Sequence, residues 1–262
     1  MSNTTPGKSI IQRHGAIALI MSLGLLVAVC HAAPTTQESQ QVTSTSIASE
    51  TLSTRQQAIV PIAAFAAKGD LARLNGALNQ GLDAGLTVTD VREVLVQLYA
   101  YAGFPRSLNA LGELMKVLEA RRQRGVQDAP GHAPSRPIPT GDALLSAGTA
   151  NQTKLAGGAV KGPLFDFAPA IDEYLKTHLF GDIFERDNLD WQSREIATVA
   201  MLAAMPGVEP QLQAHMRISM NVGLTESQLR QLGQVLADRV DADSATRAHE
   251  ALEKQVAAKS VR

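Results

Sequence analysis

Between residues 54 and 125 apolar positions recur at helical spacing, interrupted by short polar breaks. Ile59, Ile62, Ala63 and Ala66 fall on one face before Gly69-Asp70, and Asp70 can cap the next helix through its side-chain oxygen. That helix carries Leu71, Leu74, Leu78 and Leu82 and stops at Gly85, where a left-handed residue is wanted. Thr87 then caps a third helix with Val91, Val94, Leu95 and Leu98 on one stripe. After a break at Gly103-Phe104-Pro105, a fourth helix ends in Arg121, Arg122 and Arg124 before Gly125, with basic charge at the favourable end of the helix dipole.

The same order returns 138 residues later. Gly69, Leu74, Gly85, Leu86 and Thr87 correspond without a gap to Gly207, Leu212, Gly223, Leu224 and Thr225. The chain therefore reads as an internal duplication of helical hairpins. No run shows sustained two-residue alternation with β-branched residues, so the predicted class is all-α.

The flanks read differently. Lys8, Arg13 and His14 precede an unbroken apolar and small-residue run from Gly15 to Val29, and His31-Ala32-Ala33-Pro34 ends it. This is the order of a secretory signal peptide, and the run is shorter than the ~20 residues a membrane-spanning helix needs. Residues 1–32 are assigned to it, with cleavage near Ala32 or Ala33. Val29, in the run Val27-Ala28-Val29, stands where a lipid-attachment site before Cys30 would want a small residue. Residues 33–53, rich in Ser, Thr and Gln, read as a flexible leader that cannot bury enough apolar area to offset its ordering entropy. Residues 126–162, with four prolines and several glycines, read as a linker or extended arm between domain 1 (54–125) and domain 2 (163–262).

Composition narrows the chemistry. The 262 residues are 45% hydrophobic, which suffices for a folded core. Lys+Arg total 24 against 25 Asp+Glu, and removal of the signal peptide leaves a net charge of −3, so there is no broad basic field for nucleic acid. Cys30 is the only cysteine and lies in the signal peptide, so the mature chain has no thiol for redox chemistry, disulfide bonding or metal binding. The histidines show no metal-ligand spacing, and no metal or cofactor is expected.

The stretch Arg92–Leu111, REVLVQLYAYAGFPRSLNAL, and the stretch Ser193–Thr225, with Arg-Glu at a helix start and His followed eight residues later by Gly, together resemble the carboxymuconolactone decarboxylase family. This family is related to the alkylhydroperoxidase D-like proteins, and the resemblance implies two tandem helical domains of that kind. Each copy keeps only part of the pattern. Ala77 stands at the position of His215 and Gln57 near that of Glu195, while Gln231, Arg239, Asp241 and Asp243 stand where the first copy has Glu93, Tyr101, Gly103 and Pro105. The resemblance thus implies one divided site, with His215, Glu195, Glu93 and Tyr101 as catalytic candidates and Arg106 and Arg194 as substrate-binding ones.

The Cys-x-x-Cys pair of the peroxidase branch would fall at Val208 and Gln211, which excludes thiol peroxidase chemistry. General acid/base work remains, with His215 exchanging a proton and Glu195 orienting it. Each candidate also has an ordinary structural reading. Arg194-Glu195 can be capping charge, Glu93 can form a buried ion pair with an arginine, Tyr101 can be an interface aromatic, Arg106 can pair on the surface, and His178 reads as packing rather than a ligand.

Two function classes follow. The first is an exported, periplasmic or secreted, cofactor-independent enzyme acting on a small carboxylated or oxidised compound, without stable membrane insertion after processing. The second is a non-catalytic helical binding or assembly protein with an eroded site. The apolar content of such short helices predicts a homo-oligomer, and the resemblance implies a trimer imitating a ring of six single-copy units.

Overall fold

The computed structural model of the chain describes residues 50–260; the predicted signal peptide, its cleavage site and Cys30 lie outside the described residues. Eleven α-helices and one π-helix, and no strand, occur among the described residues. The first copy supplies α1 (Thr54–Lys68), α2 (Leu71–Asp83), α3 (Val88–Gln97) and α4 (Tyr99–Gln123). Between the copies lie α5 (Asp142–Ala156), α6 (Pro163–Phe167), α7 (Pro169–Tyr174) and the π-helix Leu175–Ile183. The second copy supplies α8 (Trp191–Ala204), α9 (Glu209–Asn221), α10 (Glu226–Arg239) and α11 (Ala242–Ser260).

The duplication is visible in the backbone. Helices α2 and α9 have 13 residues each and begin 138 residues apart, at Leu71 and Glu209. Thr87 and Thr225 each form a capping box, with Asp90 and Gln228 respectively. Gly85 and Gly223, ahead of these caps, both have positive φ, 90° and 97°.

Helices α1 and α8 are apolar nearly all round, and they pack on each other at the centre. Ala63, Ala64, Ala67, Ala197, Ala200 and Ala204 keep their surfaces flat, and all are buried. The two copies therefore share one core rather than forming two separate globules. The helices that flank the central pair are amphipathic and close the core from outside.

Two expectations change. Residues 126–162 are not all extended, because α5 lies within them and buries Leu155 completely. Gly148 lets α5 approach the π-helix so closely that a Cβ there would meet Lys176 O at 1.7 Å. The leader is docked at its end: Leu52 is 3% exposed, and Ser53 caps α1. The break expected at Gly103 is present: at φ 81° and ψ 161° Gly103 is non-helical and divides α4 into two helical stretches at a kink.

Candidate functional site

Helix α8 starts at Asp190, whose carboxylate accepts from Ser193 N at 2.7 Å and Ser193 Oγ at 2.9 Å. The first turn thereby carries Arg194 and Glu195 inward, both 0% exposed. The chain turns at Gly207, whose N–H donates to Glu209 Oε1, and α9 runs back along α8. His215 meets Glu195 in this hairpin, Nδ1 to Oε2 at 2.8 Å. The carboxylate holds the ring, and no hydrogen bond engages Nε2 among the described residues; the side chain is one-tenth exposed.

The first copy contributes Tyr101, from the start of α4. Its ring stands edge-on to the His215 imidazole, centroids 5.5 Å apart with the planes at 80°. Burial pushes the Tyr101 hydroxyl well above its ordinary range, and the Glu195 charge adds to this. The phenol consequently stays a proton-bearing donor. Tyr101 Oη, Glu195 Oε1 and Ser219 Oγ are buried atoms without a hydrogen-bond partner. Buried polar atoms are nearly always paired, so such orphans on His215's own partner Glu195, on its ring neighbour Tyr101 and one turn along its helix at Ser219 suggest a use beyond packing; Thr198 also lies near the Tyr101 hydroxyl.

Beside this pair lies a charge cluster built on a fully bonded carboxylate, although Arg194 Nε and Asn188 Oδ1 stay without partners. Glu93, 1% exposed, accepts at Oε1 from Arg186 (2.6 Å) and Asn188 (3.0 Å), and at Oε2 from Arg186 (2.9 Å) and Arg194 (3.1 Å). Burial opposes its charge, but the hydrogen bonds from Arg186 and Asn188 and the Arg194 charge prevail and hold its carboxyl at about 2. Arg194 also donates to Arg186 O at 2.9 Å and to Gln97 Oε1 at 3.3 Å. Gln97 Nε2 in turn donates to Thr198 Oγ1 at 2.7 Å and Arg194 O at 3.0 Å. Burial pulls the Arg194 pKa down against the pull of Glu93.

The structure thus brings together His215, Glu195 and Tyr101 and places the other candidates elsewhere or in other work. Glu93 has no free lone-pair direction for proton transfer. Arg194 is sealed from solvent and cannot reach a substrate. Arg106 lies over Gly69 and donates to Lys68 O at 2.5 Å, at the C-terminus of α1. Its predicted role at a helix start gives way to a long side chain folding back onto free carbonyls. His178 is not packed inside: its side chain is about half exposed, bonded to Asp182 at 3.0 Å and stacked on Tyr174.

Arg186, Asn188, Gln97, Thr198 and Ser219 were not foreseen. Only Gln97, inside the REVLVQ run, carried any signal as a polar residue on an apolar stripe. A cleft of about 400 Å³, lined in part by Arg55, Asp90, His132, Asp187 and Asn188, adjoins the Glu93 cluster through Asn188. Among the described residues no group of three or more His, Cys, Asp or Glu is placed to hold a metal.

A duplicated all-α fold with a buried His215–Glu195 pair defines the class of protein. The chain belongs to the carboxymuconolactone decarboxylase family, whose model matches residues 38–115 and 169–254, once in each copy. A search of curated proteins finds no match to the chain.

Proposed function

We propose that this protein is an exported, cofactor-independent enzyme that moves a proton on a small carboxylated or oxidised compound, in the manner of a carboxymuconolactone decarboxylase. The observation that carries this reading is the 2.8 Å contact of His215 Nδ1 with Glu195 Oε2, which leaves Nε2 without a hydrogen bond among the described residues while the Tyr101 ring stands edge-on to the imidazole. His215 is the general acid/base, Glu195 orients it, and Tyr101 donates to a substrate oxygen. Glu93, Arg186 and Arg194 hold the frame. With Glu195 included, the two carboxylates and two guanidinium groups balance, so protonated His215 gives the cluster one positive charge, which suits an anionic substrate.

The test is proton exchange in D2O with a panel of small lactones, oxo acids and unsaturated carboxylates, read by NMR. His215→Ala should lower exchange by ~10² to 10⁴ with folding intact, Glu195→Gln should act in the same direction, and the two losses should not add. Undiminished exchange in both variants, or none in the parent protein with any compound, would sink the proposal.

The same proposal places the protein in the periplasm or outside the cell. Mass spectrometry of the exported chain should find an N-terminus near Ala33, and a chain retaining Met1 would refute that. It also assembles copies of the chain, with a trimer favoured, through apolar faces left open on the single chain. Phe104, Leu108 and Met115 along α4 are 62%, 63% and 72% exposed, and Phe167 is 89% exposed. Light scattering at the single-chain 27.8 kDa or below would exclude assembly.

A further inference from the structure

Serine and threonine hydroxyls inside helices usually bond the carbonyl one turn back. In this protein Thr149, Thr153, Thr177, Thr198 and Thr246 all donate to the carbonyl four residues earlier. Ser219 does not. It is 0% exposed on α9, and its Oγ has no partner although the His215 carbonyl stands one turn back. A buried hydroxyl left unpaired costs free energy, so a hydroxyl kept free at such a place has another use.

Its position gives that use. Ser219 lies four residues beyond His215 and therefore on the same face of α9, the face that meets α8 and Tyr101. The duplicated copy supplies the contrast, because Gly81 of α2 stands at the position 138 residues earlier. A Cβ at Gly81 would come within 2.7 Å of Ile62 Cδ1. Ile62 itself corresponds to Ala200 in the second copy. The copy without the imidazole thus has an isoleucine against a glycine, whereas the copy with the imidazole has the smaller Ala200 and keeps the hydroxyl.

We infer that Ser219 and Tyr101 are a pair of neutral donors for one substrate oxygen, a carbonyl or carboxylate oxygen that gains negative charge while His215 transfers the proton. This inference rests on the acid/base reading above. As His215 Nε2 takes a proton from the carbon next to the carbonyl, the C–H pair becomes a C=C bond and the carbonyl π pair moves onto oxygen. The Ser219 and Tyr101 hydroxyls receive that oxygen, and reprotonation by His215 returns the pair to carbon. No oxidant or further reactant is needed. Neutral donors suit an oxygen that is charged only during the reaction, because they strengthen their hold as the charge develops. Neither candidate arginine competes for this oxygen, since Arg194 is sealed against Glu93 and Arg106 is spent on Lys68 O.

The experiment uses the full mature chain with ¹⁵N-labelled histidine and sodium acetate as an oxyanion probe. Acetate should shift the His215 ring resonances saturably. Ser219→Ala and Tyr101→Phe should each weaken acetate about three- to tenfold, the share of one hydrogen bond. Ser219→Cys, with a weaker donor of similar shape, should fall between. Ser219→Ala should also raise Tm by about 2 to 4 °C, because removing an unpaired buried hydroxyl relieves a cost. A structural serine would lower Tm instead, and that result overturns the inference. Unchanged acetate affinity in Ser219→Ala overturns the role of Ser219 while leaving His215 and Glu195 in place. Absence of any acetate shift at His215 in the parent chain overturns both readings.

Discussion

The two copies solve one structural problem in two ways. In each, a residue on the third helix of the copy fastens the segment that enters the first helix of the other copy. In the second copy Gln231 on α10 does this with an amide, accepting from Leu52 N at 2.6 Å, while Gln57 Nε2 donates to Leu52 O at 2.8 Å. In the first copy Glu93 on α3 fastens residues 186–194 with a carboxylate that takes four hydrogen bonds from Arg186, Asn188 and Arg194. One clamp is neutral and served by backbone, and the other is charged and served by side chains. The charged clamp stands beside Glu195 and His215, and the neutral one beside Gln57 and Ala77. The desolvated charges thus draw on both copies, Glu93 from the first and Arg194 and Glu195 from the second, while Gln57 and Gln231 hold their segment without charge.

This difference predicts unequal costs. Glu93→Ala leaves Arg194 buried without its counter-charge and should cost about 3 to 5 kcal/mol in urea unfolding. Gln231→Ala orphans one backbone N–H and should cost about 1 to 3 kcal/mol. Equal losses in the two variants would erase the distinction between the clamps.

Acid should act on the same residue. The folded Glu93 carboxyl is held at about 2, below its ordinary 4.5, so its contribution is complete above pH 4.5 and is lost as pH falls toward 2. The shift corresponds to ~3 kcal/mol over that window. Unfolding curves at pH 5, 4, 3 and 2.5 should therefore fall less steeply in Glu93→Gln than in the parent chain. Some slope should persist, because Asp241, bonded to Lys68 and the Ser244 N–H, is also held at about 2. A slope unchanged in Glu93→Gln would show that the cluster does not bind its charge as described.

Much of this arrangement was legible in the residue order, and the part that was not has a physical cause. The repeat could be read because caps and stops are local chemistry: Gly85-Leu86-Thr87 and Gly223-Leu224-Thr225 say the same thing wherever they occur. His215 and Glu195 could be paired because a short hairpin joins their helices. Arg186 and Asn188 could not, since they come from the segment between the copies, which has no periodicity and takes its place only by docking. Helix α5 was hidden for the same reason: its sequence, DALLSAGTANQTKLA, mixes small and polar residues, and packing against the π-helix decides its course. Arg106 was misplaced because residue order gives the root of a side chain and not the reach of its long stem and guanidinium group.

A transplant sharpens the comparison at the site itself. Gln57→Glu with Ala77→His restores the acid/base residues to the first copy, yet should add no proton exchange. The counterpart of Tyr101 is Arg239, which donates outward to Gln80 at 2.7 Å, and the counterpart of Ser219 is Gly81, packed under Ile62. Forcing an imidazole into the place of Ala77, which is 5% exposed, should cost about 1 to 3 kcal/mol. A second active site in this variant would show that His and Glu alone suffice and that the donor pair is dispensable.

The smallest effect tests what the copies still share. Thr87 and Thr225 cap α3 and α10 with the same geometry, each accepting from the backbone N–H three residues on, at 3.1 Å and 3.2 Å. The reciprocal bonds return from Asp90 and Gln228 at 2.7 Å and 2.9 Å. Removing a cap of this kind costs typically ~1 kcal/mol, so Thr87→Ala and Thr225→Ala should each lower stability by about that amount and agree within a few tenths. Asp90 also binds Arg55 and Gln228 also binds Thr51 O, so each box retains a second tie to the start of α1 after its threonine is gone. Neither change should disturb His215, because the boxes lie at helix starts remote in the chain from Glu195 and Tyr101. Equal, small and additive losses in thermal unfolding would show that the scaffold has stayed symmetric while the chemistry did not. A loss several times larger at Thr87 would instead tie the α3 cap to the charged clamp six residues later, making the first copy's scaffold part of the site.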